Sequence, residues 1–233
     1  MTPVHRFLAA ALLLAAPFAA SAGDESSSPV SWEVSAVSDY LFRGVSQTNE
    51  KATLQGTLTW TSASGIYLGS FASGVDFGTG SPDIEVDYFV GYGFDASDTI
   101  NIDVMLNRYT YPGASELAYN ELITTATIAK NLAVTVGYTN DIWGSGTDGW
   151  YYGARYNWAL PHEVTLSASV GRTQFRDNLA VAAKDYTDWS VAVSRSFGPA
   201  AVSLGYFGTD ASARASFGKL ADNRLLLSVK FAH

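Results

Sequence analysis

Residues 84–94 read Ile84-Glu-Val-Asp-Tyr-Phe-Val-Gly-Tyr-Gly-Phe94. Neighbouring side chains on a β-strand point to opposite faces. Ile84, Val86, Tyr88, Val90, Tyr92 and Phe94 therefore share one face, and Glu85, Asp87, Phe89, Gly91 and Gly93 the other. The first face is aliphatic and aromatic throughout, and the second mixes acids with glycine. A soluble sandwich would bury the first face and present the second, well charged, to water. A membrane barrel would turn the first to lipid and the second to a narrow lumen.

The same plan recurs on both sides of this stretch. Residues 30–43 set Trp32, Val34, Ala36, Ser38, Tyr40 and Phe42 against Glu33, Ser35, Val37, Asp39, Leu41 and Arg43. Alternation returns at 52–61, 65–74, 100–107, 118–129, 132–139, 150–158, 164–171, 189–194, 201–206 and 225–231. It is weakest at 65–74 and 118–129, which leaves the count at twelve or ten. Short connections at 62–64, 95–98, 129–131, 159–162 and 198–200 alternate with longer ones at 44–51, 74–83, 109–117, 140–149, 175–185 and 208–222. The long ones are rich in Gly, Ser and Asp. An all-β transmembrane antiparallel β-barrel of about twelve strands has this layout, with short periplasmic turns and longer external loops.

Composition agrees. Gly (21), Tyr (13), Phe (12) and Trp (6) are numerous while charged residues make up only 15%. Aromatics on the apolar face fall near strand ends, where barrels carry girdles at the two membrane interfaces. Trp32, Trp60, Phe94, Trp158 and Phe231 are expected at the periplasmic rim, and Tyr40, Phe42, Trp150 and Trp189 at the external rim.

The N-terminus sets the domain plan. His5 and Arg6 precede an uncharged apolar run, Phe7 to Ala20, and Ala20-Ser21-Ala22 fits a small-x-small cleavage site. Residues 1–22 read as a secretory signal peptide, 23–29 as a polar periplasmic leader and 30–233 as the barrel. No later apolar run approaches the roughly 20 residues of a spanning helix. Without cysteine there is no disulfide framework or thiolate site. A net charge of -8 argues against a nucleic-acid partner.

Arg224-Leu-Leu-Leu-Ser-Val-Lys-Phe231 resembles the C-terminal signal read by the barrel assembly machinery. It departs from it in having Leu226 where Gly is usual and Ala232-His233 after the aromatic. Ser38-Asp-Tyr-Leu-Phe-Arg-Gly-Val-Ser-Gln-Thr48 resembles the signature of the TorF-type porin family of proteobacteria. Residues 65–77, Tyr109-Thr-Tyr-Pro-Gly113 and Ala118-Tyr-Asn-Glu121 resemble later blocks of that family. The resemblance implies a Gram-negative outer-membrane barrel with passive transport, and supplies neither a substrate nor catalytic residues.

By parity, the lumen-facing charges are Glu33, Asp39, Glu85, Asp87, Asp103 and Asp188 against Arg43, Arg155, Arg224 and Lys230. They are the expected pore-lining residues, and their acid excess suggests weak cation preference. The other reading is a network that plugs a narrow barrel. Asp39 and Arg43 lie roughly 13 Å apart along an extended strand, so each needs a partner elsewhere. Arg108 and Arg172 are expected at the external rim, within reach of lipopolysaccharide phosphates. His5, His162 and His233 sit at the signal, in a turn and at the terminus, so no His-dependent triad is expected. No ordered Asp/Asn run suggests a metal, and no cofactor is expected. The sequence reads as a passive channel for small solutes or ions. A closed structural or adhesive barrel acting through its loops is the alternative, and a barrel enzyme the remote one. The expected partners are outer-membrane lipid, lipopolysaccharide, the assembly machinery and the solute.

Overall fold

A computed structural model describes residues 28–78 and 80–233; the expected signal peptide and residues 23–27 of the leader lie outside the described residues. Its strands are β1 (Val30–Val37), β2 (Leu41–Phe42), β3 (Val45–Ser46), β4 (Thr53–Thr61), β5 (Ile66–Gly74), β6 (Ile84–Ser97) and β7 (Ile100–Thr110). They continue with β8 (Tyr119–Ile128), β9 (Leu132–Thr139), β10 (Gly149–Leu160), β11 (Val164–Phe175), β12 (Tyr186–Phe197), β13 (Ala200–Thr209) and β14 (Arg224–Ala232). One short helix, α1 (Ala211–Phe217), lies in the last loop.

All strands except β2 and β3 form one closed antiparallel barrel of twelve. Each pairs with its neighbour in sequence, and β14 returns to β1 with Val34 opposite Phe231. Closure leaves no strand edge unpaired, as a wall facing hydrocarbon requires. The two weakly alternating segments are full wall strands, β5 and β8. Their weak pattern has a local cause. The inward positions Tyr67, Phe71 and Ile123 are themselves large and apolar, which blurs the contrast between faces.

The radial order of residues is the reverse of a soluble protein's. Leu54, Leu68, Tyr88, Val90, Leu122, Val170, Leu204 and Leu225 project outward and are exposed, while Gln55, Ser73, Glu85, Asp87 and Glu121 are buried inside. Such a surface is stable only against an apolar solvent. Trp32, Trp60, Phe94, Trp158 and Phe231 lie outward near the turn end of the wall, and Trp150 and Trp189 outward near the loop end. Tyr138, Trp150 and Tyr152 follow one another, the first pair tilted at 4.5 Å and the second stacked at 6.1 Å between centroids.

Tyr40 and Phe42 do not belong to that belt. They are 4% and 0% exposed and sit in an apolar cluster inside the barrel mouth. The first strand stops at Val37 and does not run on to 43. The apparent alternation of 38–43 arises because a short hairpin also has two faces.

Candidate functional site

The chain leaves the wall at Ser38, whose N–H still donates to the Leu227 carbonyl at 2.9 Å. It then folds back into the lumen. Leu41 pairs with Ser46 and Phe42 with Val45, making a minimal hairpin with Arg43-Gly44 as its turn. Both turn residues have positive φ, 47° and 81°. A two-residue turn of this kind suits strand twist and favours glycine. Gly44 is also required for space, since a Cβ there would come within 2.6 Å of Thr209 Cγ2 and 3.0 Å of Asp188 Cβ.

Asp39 organises the base of the loop. Its Oδ1 accepts from Ser46 Oγ (2.6 Å) and Thr48 Oγ1 (2.8 Å), and its Oδ2 from Arg224 Nη1 (2.6 Å). Arg43 carries the tip across the lumen. Its Nη2 meets Glu121 Oε1 at 2.6 Å, with both side chains nearly fully buried. The guanidinium lies over the rings of Tyr151 and Phe42, 4.2 and 4.5 Å from their centroids. Tyr109 donates to the other Glu121 oxygen at 2.9 Å and stacks on Tyr119. Tyr40 and Tyr111 donate to the two oxygens of Glu85, at 2.8 and 2.6 Å.

The loop therefore touches the wall at β6 (Glu85), β8 (Glu121), β10 (Tyr151), β12 (Asp188) and β14 (Arg224). Phe71 of β5 and Tyr109 of β7 add ring contacts with Tyr40 and Phe42, so the contacts span the barrel's cross-section. Between 39 and 50 the loop's backbone–backbone hydrogen bonds run within the loop or to Asp76 of the next one. Side chains alone tie it to the wall strands.

The other long loops cover it. Val75, Phe77, Tyr111, Ile142, Trp143, Val181 and Ala213 join Phe42 and Val45 in one buried cluster. Trp143 packs edge-on against Phe175 and Phe217. Asp210 caps α1 by accepting from the N–H groups of Ser212 and Ala213. At the rim of this cap, Lys51 Nζ meets Asp76 Oδ2 at 2.7 Å. The hydrogen bond from Lys51, then that from the Gly78 N–H, hold the Asp76 carboxyl below its usual range.

The lumen nearer the short turns has a different lining. Thr57, Thr59, Asn157, Ser167, Ser194 and Ser203 point inward there and keep partial exposure. Lys230 pairs with Glu33 at 3.0 Å, and Tyr67 donates to Asp103 at 2.9 Å. Aromatic rings lie down on glycines, Phe89 over Gly69 and Tyr67 over Gly91. A side chain at either glycine would push the ring into the lumen.

A family model described as "Bacterial protein of unknown function (Gcw_chp)" matches residues 21–231. The chain belongs to the Gcw_chp family. Among solved structures it resembles the KdgM porin, with TM-score 0.55 and 10% identity over 86% of this chain and 98% of that one. It resembles the NanC porin at TM-score 0.55 and 10% identity, over 87% of this chain and 97% of that one. At such identity the likeness establishes a shared barrel fold. No curated protein sequence matches.

In this Gcw_chp chain, Glu33, Glu85, Asp87, Asp103, Arg155, Asp188, Arg224 and Lys230 all occupy inward wall positions. Asp39 and Arg43 are also inside, on the inserted loop and not on the wall. Their partners are Arg224 and Glu121. Arg108 and Arg172 lie outward, beside Asn120 and Thr187. Sequence reasoning missed Glu121, Tyr109, Tyr119 and Tyr151 as site residues. One signal was present: 38–48, 109–113 and 118–121, widely separated in the chain, meet at this plug.

Proposed function

We propose that this protein is a porin-like outer-membrane channel whose loop 38–52 is a displaceable plug. Exported by residues 1–22, it would face its turns to the periplasm and its loops outward, and pass small hydrophilic solutes or ions when the loop withdraws. The observation that carries this reading is the way the plug is held. Between residues 39 and 50, and among the described residues, it is attached to the wall strands by side chains only, with the Arg43–Glu121 pair at its tip.

Its energetics suit a gate. Burying Phe42 and Val45 contributes about 1.5–3 kcal/mol each. Against this, Arg43 Nε and Nη1 are buried without a hydrogen-bond partner among the described residues. Each buried unsatisfied group costs on the order of 1–3 kcal/mol, and the left-handed backbone of Arg43 a similar amount. These costs offset part of what holds the closed form, and water can take over the plug's polar contacts.

The wall supports cation preference in the open form. Glu33, Asp39 and Glu121 are matched by Lys230, Arg224 and Arg43. Glu85 and Asp103 are held by tyrosine hydroxyls and Asp87 by Asn107, all neutral donors. Counted over all inward positions, the acids Glu33, Asp39, Glu85, Asp87, Asp103, Glu121 and Asp188 outnumber the bases Arg43, Arg155, Arg224 and Lys230. The TorF-type resemblance and the porin fold favour the same class.

Single-channel recording in planar bilayers tests the reading. Wild-type protein should show infrequent openings, and a variant with 40–47 replaced by a short Gly-Ser link should stay open. Silence from both, with the barrel folded, overturns it. A salt gradient should give a reversal potential of cation sign; anion preference removes the charge argument. A second reading, a closed barrel displaying a rigid cap, is favoured by the apolar cluster shared among the long loops. It predicts silence together with a protease-resistant cap.

A further inference from the structure

The outward wall across β9–β12 carries a hollow. Ala154 stands between Tyr152 and Tyr156 along β10, with Val134 and Val170 directly beside it on the neighbouring strands. One small side chain among four larger ones leaves a groove of about 300 Å³. Val134, Val136, Tyr152 and Val170 line it together with Gly153 and Gly171, and Arg172 and Thr187 stand at its loop-end mouth. The volume is on the order of ten waters, each taking about 30 Å³ in the liquid. The groove is open on the outer face and its lining is almost wholly apolar, which suits a hydrocarbon chain better than water, and the solvent of this face is a bilayer.

The mouth is not neutral. Arg172 Nη1 donates to Thr187 Oγ1 at 3.2 Å, and the guanidinium stands 3.7 Å from Asp210 and 3.9 Å from Asp185. Both acids sit at the outer limit of ion pairing, and both have nearer donors. Asp210 Oδ1 caps α1 and its Oδ2 accepts from the Thr187 N–H at 2.9 Å. Asp185 Oδ1 accepts from the Phe175 N–H and Asn178 Nδ2, each at 3.0 Å. A guanidinium at the head of an acyl-sized groove, with a hydroxyl beside it, matches a phosphate followed by a hydrocarbon chain.

We propose that this groove binds one acyl chain of a phosphate-bearing lipid, with Arg172 and Thr187 holding the phosphate and Ala154 making room for the chain. The site is independent of the lumen and of whether the barrel conducts. Its test is native mass spectrometry of folded protein in a neutral maltoside detergent. The probes are phosphatidylglycerol and a diacylglycerol with the same chains, which differ in the phosphate. Wild-type protein should retain phosphatidylglycerol at about tenfold lower concentration than diacylglycerol, a difference of about 1.4 kcal/mol. Arg172→Ala should abolish that discrimination. Ala154→Leu, a lipid-facing change that leaves the barrel intact by gel mobility, should weaken both adducts. Inorganic phosphate should not displace the lipid. Equal retention of the two lipids by wild type, or wild-type behaviour of Ala154→Leu, overturns the proposal.

Discussion

The two halves of the lumen are lined by the same strands, with the same inward alternation, yet they are different environments. Near the loops, Glu85, Glu121, Tyr109 and Tyr119 are buried around an inserted hairpin. Near the turns, Thr57, Asn157, Ser167 and Ser203 remain partly exposed. The wall pattern does not cause the difference. What separates the halves is the length of the connections. A turn such as 198–199 cannot reach the axis, whereas residues 38–52 can fold back and bring Arg43 across it. A barrel's interior is therefore specified twice, once by strands and again by whichever loop has the length and side chains to enter.

The largest expected break in that contrast is Arg43→Ala. It leaves Glu121 buried against Tyr109 without its cation, and truncating one member of a buried pair costs about 3–5 kcal/mol. In the proposed gate the closed state alone would bear this, so the open fraction should rise roughly a hundredfold or more, at about 1.4 kcal/mol per tenfold. Single-channel open probability reads it. Arg43→Ala with Glu121→Ala should recover part of the closure, because the orphaned charge is gone. An unchanged open probability in Arg43→Ala would mean the pair does not hold the plug.

Gly44→Ala comes next. It adds strain at φ 81° and a contact 2.6 Å from Thr209 Cγ2. A residue forced into such backbone costs on the order of 1–3 kcal/mol. Openings should be more frequent while barrel melting, followed by the loss of β-sheet circular dichroism, stays nearly constant. A lowered melting point without added openings would assign Gly44 to the wall.

Asp103→Asn sharpens the contrast from the other half. Asp103 lies near the turns beside Tyr67, remote from the hairpin. Gating should not change, and the reversal potential should move toward equal permeability. A change in open probability would show that the halves are coupled.

The smallest effect is the acid response of the rim. The Asp76 carboxyl is held low by Lys51 and the Gly78 N–H. A depressed carboxyl contributes stability above its ordinary value near 3.9, and that contribution is lost as pH falls through its folded value. Limited proteolysis of loops 38–52 and 75–83 should therefore quicken between about pH 4 and lower values, and Asp76→Asn should lack the step. Lys51 is well exposed and Asp76 partly so, so added salt should shrink it. A pH response that persists in Asp76→Asn points to another group.

Much of this was legible in the residues. Alternation placed Glu85, Asp87, Asp103 and Arg155 inward and Leu54, Tyr88 and Trp158 outward, because a strand's period of two is local and the barrel wall leaves it undisturbed. Asp210 caps the start of α1 in the ordinary way and Gly218 ends it at positive φ, a local signal that lies inside a long loop. Tyr40 and Phe42 were misassigned for a physical reason. An apolar residue near a strand end has the same pattern whether it meets lipid or the core of a folded-in loop.

By itself the sequence determined the barrel: strand spacing, which face of each strand is apolar, and the sides on which long and short connections fall. These follow from backbone geometry and the solvent each face requires. Only the tertiary structure decided that 38–48 fills the lumen and that Arg43 pairs with Glu121, 78 residues away in the chain. Where a loop goes depends on the cavity other strands create, and no local period records that.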